Sequence, residues 1–87
     1  MKTLKRRIKR EVFELRSDDT SELTRKVRGI VNKHIKVGET ITNDGRISVK
    51  TPIGTLYFFI AYSKNKIGEK TYRIKRYAGM DLSGKFV

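Results

Sequence analysis

Between Thr55 and Tyr77 the chain interleaves two kinds of side chain. Leu56, Phe58 and Ile60 alternate with Tyr57 and Phe59, and Tyr72 and Ile74 alternate with Arg73, Lys75 and Tyr77. In an extended chain successive side chains point to opposite faces, so each run separates into two sets. If Tyr62 pairs near Lys70, Phe58 opposes Ile74 and Ile60 opposes Tyr72, which makes one consistent core face. The other face then brings Tyr57 near Lys75 and Phe59 near Arg73. Flat rings beside cations are what unpaired nucleobases need: stacking contributes roughly 1–3 kcal/mol per base while cations track the phosphates. The competing structural reading buries Tyr57 and Phe59 under the C-terminal tail or a subunit partner, and a one-residue slip would scramble the face.

A second cationic cluster opens the chain. Six of the first ten residues are Lys or Arg and none is acidic. Lys2, Lys5, Arg6, Lys9 and Arg10 are therefore candidates for phosphate contacts. Arg25 and Arg28 further along, and Arg76 and Tyr77 near the end, complete the candidate set. A basic amphipathic helix also suits an anionic membrane surface. The narrow, aliphatic apolar stripe here instead fits a helix packed on a sheet, and no membrane partner is expected.

Catalytic chemistry has little to build on. There is one histidine and no cysteine, and the carboxylates do not converge, so neither a metal site nor a hydrolytic triad is expected. His34 falls within an apolar helical arc and reads as a partly buried, hydrogen-bonded structural residue. Asp18 and Asp19 read as helix caps, Asp44 as a turn residue, and Glu11 and Glu14 as intrahelical ion-pair partners. No cofactor is expected.

The elements that must position these groups follow from periodicity. Leu4, Ile8, Val12 and Leu15 make one stripe of a helix over 2–16, with Phe13 on its basic side. Ser17–Thr20 breaks that pattern and offers caps for a second helix from Thr20 to Lys36. Leu23, Val27, Ile30, Val31 and Ile35 share its apolar arc, Gly29 falls on its polar side, and Gly38 is the expected stop signal. Thr40–Thr42 and Arg46–Lys50 flank Asn43-Asp44-Gly45 as a three-residue hairpin turn. Pro52-Ile53-Gly54 makes the next turn. Thr55–Tyr62 is then a central strand, and a loop around Asn65 and Gly68 returns the chain into Lys70–Tyr77. In the tail, Met80, Leu82 and Phe86 are available to cover apolar surface. The fold class expected is α+β, two N-terminal helices on one face of a three- to four-stranded antiparallel sheet.

The chain of 87 residues is of single-domain size. Its 21 Lys plus Arg against 9 Asp plus Glu give a net charge of +12, self-repelling unless a polyanion offsets it. No apolar run approaches bilayer length, and the basic N-terminus is not followed by a signal-peptide core. A cytoplasmic location is expected, and a core this modest leaves room for a homodimer.

These features predict a non-enzymatic nucleic-acid-binding protein, with RNA ahead of duplex DNA. No zinc finger, basic zipper, RNP signature or GXXG loop is present. Two helices followed by a hairpin resemble the order of HU-type architectural proteins, which keeps a DNA-binding architectural or regulatory role in view. The long β-arm with its wedge proline and the final helix of that family are missing, which speaks against minor-groove insertion. Tyr72-Arg73-Ile74-Lys75-Arg76-Tyr77 is similar in composition to the C-terminal strands of RelE-like ribonuclease toxins, although their opening strand is missing. In size, lysine richness and α-then-β layout the whole chain resembles small basic phage proteins of the TifA type. That resemblance implies an RNA-binding, antitoxin-like inhibitor whose partners are RNA and a host toxin–antitoxin ribonuclease, acting in the host cytoplasm.

Overall fold

The computed structural model describes residues 2–80, with side chains from residues 6–79. The element order is α1 (Lys2–Phe13), α2 (Thr20–His34), β1 (Thr40–Asn43), β2 (Arg46–Thr51), β3 (Gly54–Lys64) and β4 (Lys70–Met80). The strands form one antiparallel meander in the order β1-β2-β3-β4. This is the expected α+β layout, with the helices preceding the sheet. Leu82 and Phe86, expected as apolar cover, lie outside the described residues.

Helix α1 stops three residues short of the expected end. Glu14 and Leu15 donate their amides to Glu11 and Val12 in a tightened last turn. The Arg16 guanidinium donates to the carbonyls of Phe13 and Leu15, which lack helical partners. Phe13 is not confined to the basic side: its ring packs on the core, with the Lys9 ammonium 5.6 Å above it. Ser17 then pairs with Tyr72 of β4 through two backbone hydrogen bonds of 3.1 and 2.7 Å. The interhelical linker is thereby stitched to the sheet.

Asp19 caps α2 as expected, in extended backbone and accepting from the Ser21 amide at 3.1 Å. The helix ends at His34 rather than Lys36, and Gly38 is not its terminator. Ile35 already adopts extended backbone, and Ile35 and Val37 pack against the core from there. Burial of these β-branched residues in an extended chain overrides two further residues of helix. Gly38 instead donates to the Lys50 carbonyl at 2.7 Å, leading the chain beside β2.

The first hairpin turn has two residues, not three. Asn43 pairs with Arg46, and Asp44 and Gly45 both take positive φ, 54° and 72°. That is the mirror-image turn whose twist matches the flanking strands, for which Asp-Gly is well suited.

The core lies on one face of the sheet. Ile8 and Val12 of α1 and Leu23, Val27 and Val31 of α2 close over Ile47, Val49, Leu56, Phe58 and Ile74. Phe58 is the largest fully buried side chain.

The β3–β4 register differs from the expected one. Tyr62 pairs with Tyr72 and Ile60 with Ile74, after which the ladder shifts and pairs Phe59 with Arg76 and Phe58 with Tyr77. Lys75 is the extra residue of this β-bulge. The β3–β4 ladder also continues for five residue pairs beyond Phe59, where β2 ends. A β-arm not visible in the sequence therefore projects from the body. Asn65 holds its tip, accepting from the amides of Ile67 and Glu69 and leaving Ile67 80% exposed.

Glu11 does not form the intrahelical pair expected of it. Its carboxylate bridges to the last turn of α2, 2.6 Å from Lys33 Nζ and 2.5 Å from His34 Nε2. His34 is accordingly a partly buried, hydrogen-bonded residue that joins the helices. The hydrogen bond from Lys33, then that from His34, holds the Glu11 carboxyl below the usual glutamate range. A depressed carboxyl contributes stability above its unfolded pKa and loses it as pH falls through the folded value. Thermal denaturation across the acid range should therefore show Glu11→Gln less sensitive to falling pH than the parent. Identical pH dependence in both would show that the bridge contributes nothing.

Candidate nucleic-acid interface

Burial of Phe58 and Leu56 under the helices forces the alternate residues of β3 onto the other side of the sheet. Tyr57, Phe59 and Ala61 share that face, which no described helix covers, with Arg46 and Ser48 of β2, and with Arg73 and Arg76 of β4. The core-forming residues of both described helices pack on the opposite face. Tyr57 and Phe59 are partly buried, while Arg46, Arg73, Lys75 and Arg76 are exposed.

Each ring lies under an arginine. The Arg46 guanidinium is 5.0 Å from the Tyr57 ring centroid, and that of Arg76 is 5.1 Å from the centroid of Phe59. Such cation–π contacts, worth about 0.5–1 kcal/mol at exposed sites, orient planar guanidinium groups over the rings. Bases stack on aromatic rings and on guanidinium planes alike. Arg73 stands opposite Ala61, whose methyl group leaves it no ring to stack on. Among the described residues none of these three arginines has a carboxylate within ion-pair distance.

The expected pairings on this face change with the register. Phe59 neighbours Arg76 rather than Arg73, and Tyr57 neighbours Ala78 rather than Lys75. Tyr77 is moved furthest. The bulge at Lys75 reverses the alternation, so Tyr77 sits on the helix-covered face with its ring 5.1 Å from that of Phe58. Its hydroxyl is buried and has no hydrogen-bond partner among the described residues. Burial pushes the Tyr77 phenol above its ordinary pKa. Tyr77 is therefore separated by the sheet from Arg73 and Arg76, with which it was grouped.

The helical candidates occupy the other side of the molecule. Arg6, Lys9 and Arg10 of α1 and Arg25 and Arg28 of α2 are all exposed. Lys2 and Lys5 belong to α1, but their side chains lie outside the described residues.

Arg46 is the residue that sequence reading missed. The signal was present: Arg46-Ser48-Lys50 alternates with Ile47-Val49, which fixes Arg46 on the face away from the core. What was lacking was the turn length that aligns it with Phe59. Among the described residues no group of three or more His, Cys, Asp or Glu side chains could hold a metal ion, and no helix is long and apolar enough to cross a membrane.

Comparison with known proteins gives no match for this chain to a family model, a curated protein or a solved structure.

The burial of Tyr77 makes a direct prediction. Removing an unsatisfied buried hydroxyl relieves a desolvation cost of about 1–3 kcal/mol. Tyr77→Phe should leave the melting temperature unchanged or raised and leave single-stranded RNA binding unaltered. A marked loss of stability would reveal a partner for the hydroxyl, and a loss of binding would return Tyr77 to the interface.

Proposed function

We propose that this protein is a non-enzymatic binder of single-stranded nucleic acid, RNA in the first place. The observation that carries the proposal is the sheet face that no described helix covers, where Arg46 lies over Tyr57 and Arg76 over Phe59, with Arg73 exposed beside them. The rings and guanidinium planes are stacking surfaces for unpaired bases, and the cations neutralise the phosphates between them. The net charge of +12 supplies the long-range attraction. Stacking tolerates sequence variation because every base has a π-face, so the affinity rests on strandedness and charge.

The resemblance to TifA-type phage proteins extends this reading to a biological role. The cationic face would engage RNA, and protein and RNA together would hold a host toxin–antitoxin ribonuclease inactive in the host cytoplasm.

Tyr57→Ala or Phe59→Ala should weaken binding of a single-stranded RNA oligonucleotide by roughly 5- to 150-fold, the cost of about 1–3 kcal/mol per stacked base. Both variants should melt close to the parent; unfolding of both would mark the rings as core. For about six phosphate contacts the log–log salt slope should be near −4. Salt-insensitive binding, or none, would sink the proposal, and tighter binding of duplex DNA would favour the architectural alternative. For the role, a tagged chain expressed in the host should retain a ribonuclease that is released on RNase treatment. Retention that survives RNase would point to direct protein contact instead.

A further inference from the structure

Apart from the lysines of the arm tip, two groups of described arginines lie on surfaces that face away from each other, one on the sheet and one on the helices. On α2, Leu23, Val27 and Val31 point into the core, which turns Arg25, Arg28, Gly29 and Asn32 outward by helical geometry. All four are exposed, and a side chain at Gly29 would meet nothing within 4 Å. The strip therefore has a low point flanked by two arginines, where a phosphate backbone can approach the helix closely. Arg6 and Arg10 of α1 face outward by the same argument from Ile8 and Val12. Two carboxylates of this layer are engaged elsewhere: Glu22 holds Lys26, and Glu11 holds Lys33 and His34, while Glu14 and Asp18 at the interhelical linker are exposed. Among the described residues Arg6, Arg10, Arg25 and Arg28 have no carboxylate within ion-pair distance, and Arg25 senses the Glu22 charge only through space.

The two shorter principal extents of the molecule are 23 and 19 Å. At about 0.1 M salt the Debye length is about 10 Å, so a phosphate on one face scarcely senses the cations of the other. The faces also offer different chemistry. The sheet face has two ring–arginine pairs that occupy bases, whereas the one phenyl ring of the described helices, Phe13, packs on the core beneath Lys9, so the outer helix arginines hold the backbone. A strand held by its phosphates keeps its bases free to pair with those stretches of the second strand that run beyond the sheet face and its rings.

We propose that the protein holds two strands at once, one on each face, and accelerates the annealing of complementary single strands. The inference rests on the nucleic-acid reading above and adds an activity to it. Phosphate repulsion slows the encounter of two strands; a cation layer on each side of one small body cancels it and raises their effective concentration.

The test follows duplex formation between two complementary fluorescent RNA oligonucleotides by energy transfer, with each protein at a concentration that saturates one strand. The parent protein should accelerate annealing by at least about tenfold, the lower end of electrostatic rate enhancement. Arg25→Gln with Arg28→Gln should abolish most of that acceleration. Lys64→Gln with Lys66→Gln removes the same charge from the arm tip and should leave the acceleration within about twofold of the parent. An equal loss in both double variants would mean that net charge alone acts, and would overturn the two-face arrangement. Normal single-strand binding without acceleration by the parent would overturn the annealing activity while leaving the nucleic-acid reading intact. Absence of binding to either strand would overturn both.

Discussion

Everything on the exposed sheet depends on where Phe58 goes. As the largest fully buried side chain it must face the helices, and a β-strand then has no freedom over its neighbours. Tyr57 and Phe59 are driven to the other side, together with whatever β2 and β4 place opposite them. Both described helices pack on the Phe58 side, and no described element covers the other face. A sheet covered on one face keeps its other face for water or for a ligand. Arginines laid over the rings are a compromise between those two states, since they shield aromatic surface yet remain charged and hydrated at their edges.

The bulge at Lys75 is the second determinant. Without it, Ile74 and Tyr77 would fall on opposite faces, and only one of them could join the core. One extra residue lets both pack inward and places Arg76 beside Phe59. The same irregularity thus enlarges the core and completes the basic face. It also raises the local twist where the β3–β4 arm leaves the body.

Much of this was legible in the sequence, for definite reasons. Ile8 and Val12, then Leu23, Val27 and Val31, recur at helical spacing, and Asp19 sits where a cap must be. Alternation through Leu56–Ile60 assigned Tyr57 and Phe59 to one face correctly. What could not be read was anything that depends on strand partners. Pairing Tyr62 with Lys70 is as regular a ladder as pairing it with Tyr72, and alternation alone cannot locate a bulge; Tyr77 was misplaced for that reason. Glu11 was assigned to its own helix because nearby cations are visible in a linear string, whereas Lys33 and His34 come near only after the helices pack. The ends of α1 and α2 were overextended because Ile35, Val37 and Arg16 stabilise alternatives that exist only in the folded chain.

The pairing of Ser17 with Tyr72 has a consequence for how the molecule meets its own copies. β4 is the last strand of the sheet and 11 residues long, the kind of edge along which unfolding intermediates add further strands. At Tyr72 that edge is already occupied by a segment tied at both ends to helices of the core. A strand pairing at Tyr72 would have to dislodge the linker and, with it, the seating of α1 and α2. Strand addition across Tyr72 is thereby coupled to loss of the fold itself, a safeguard confined to that stretch of β4.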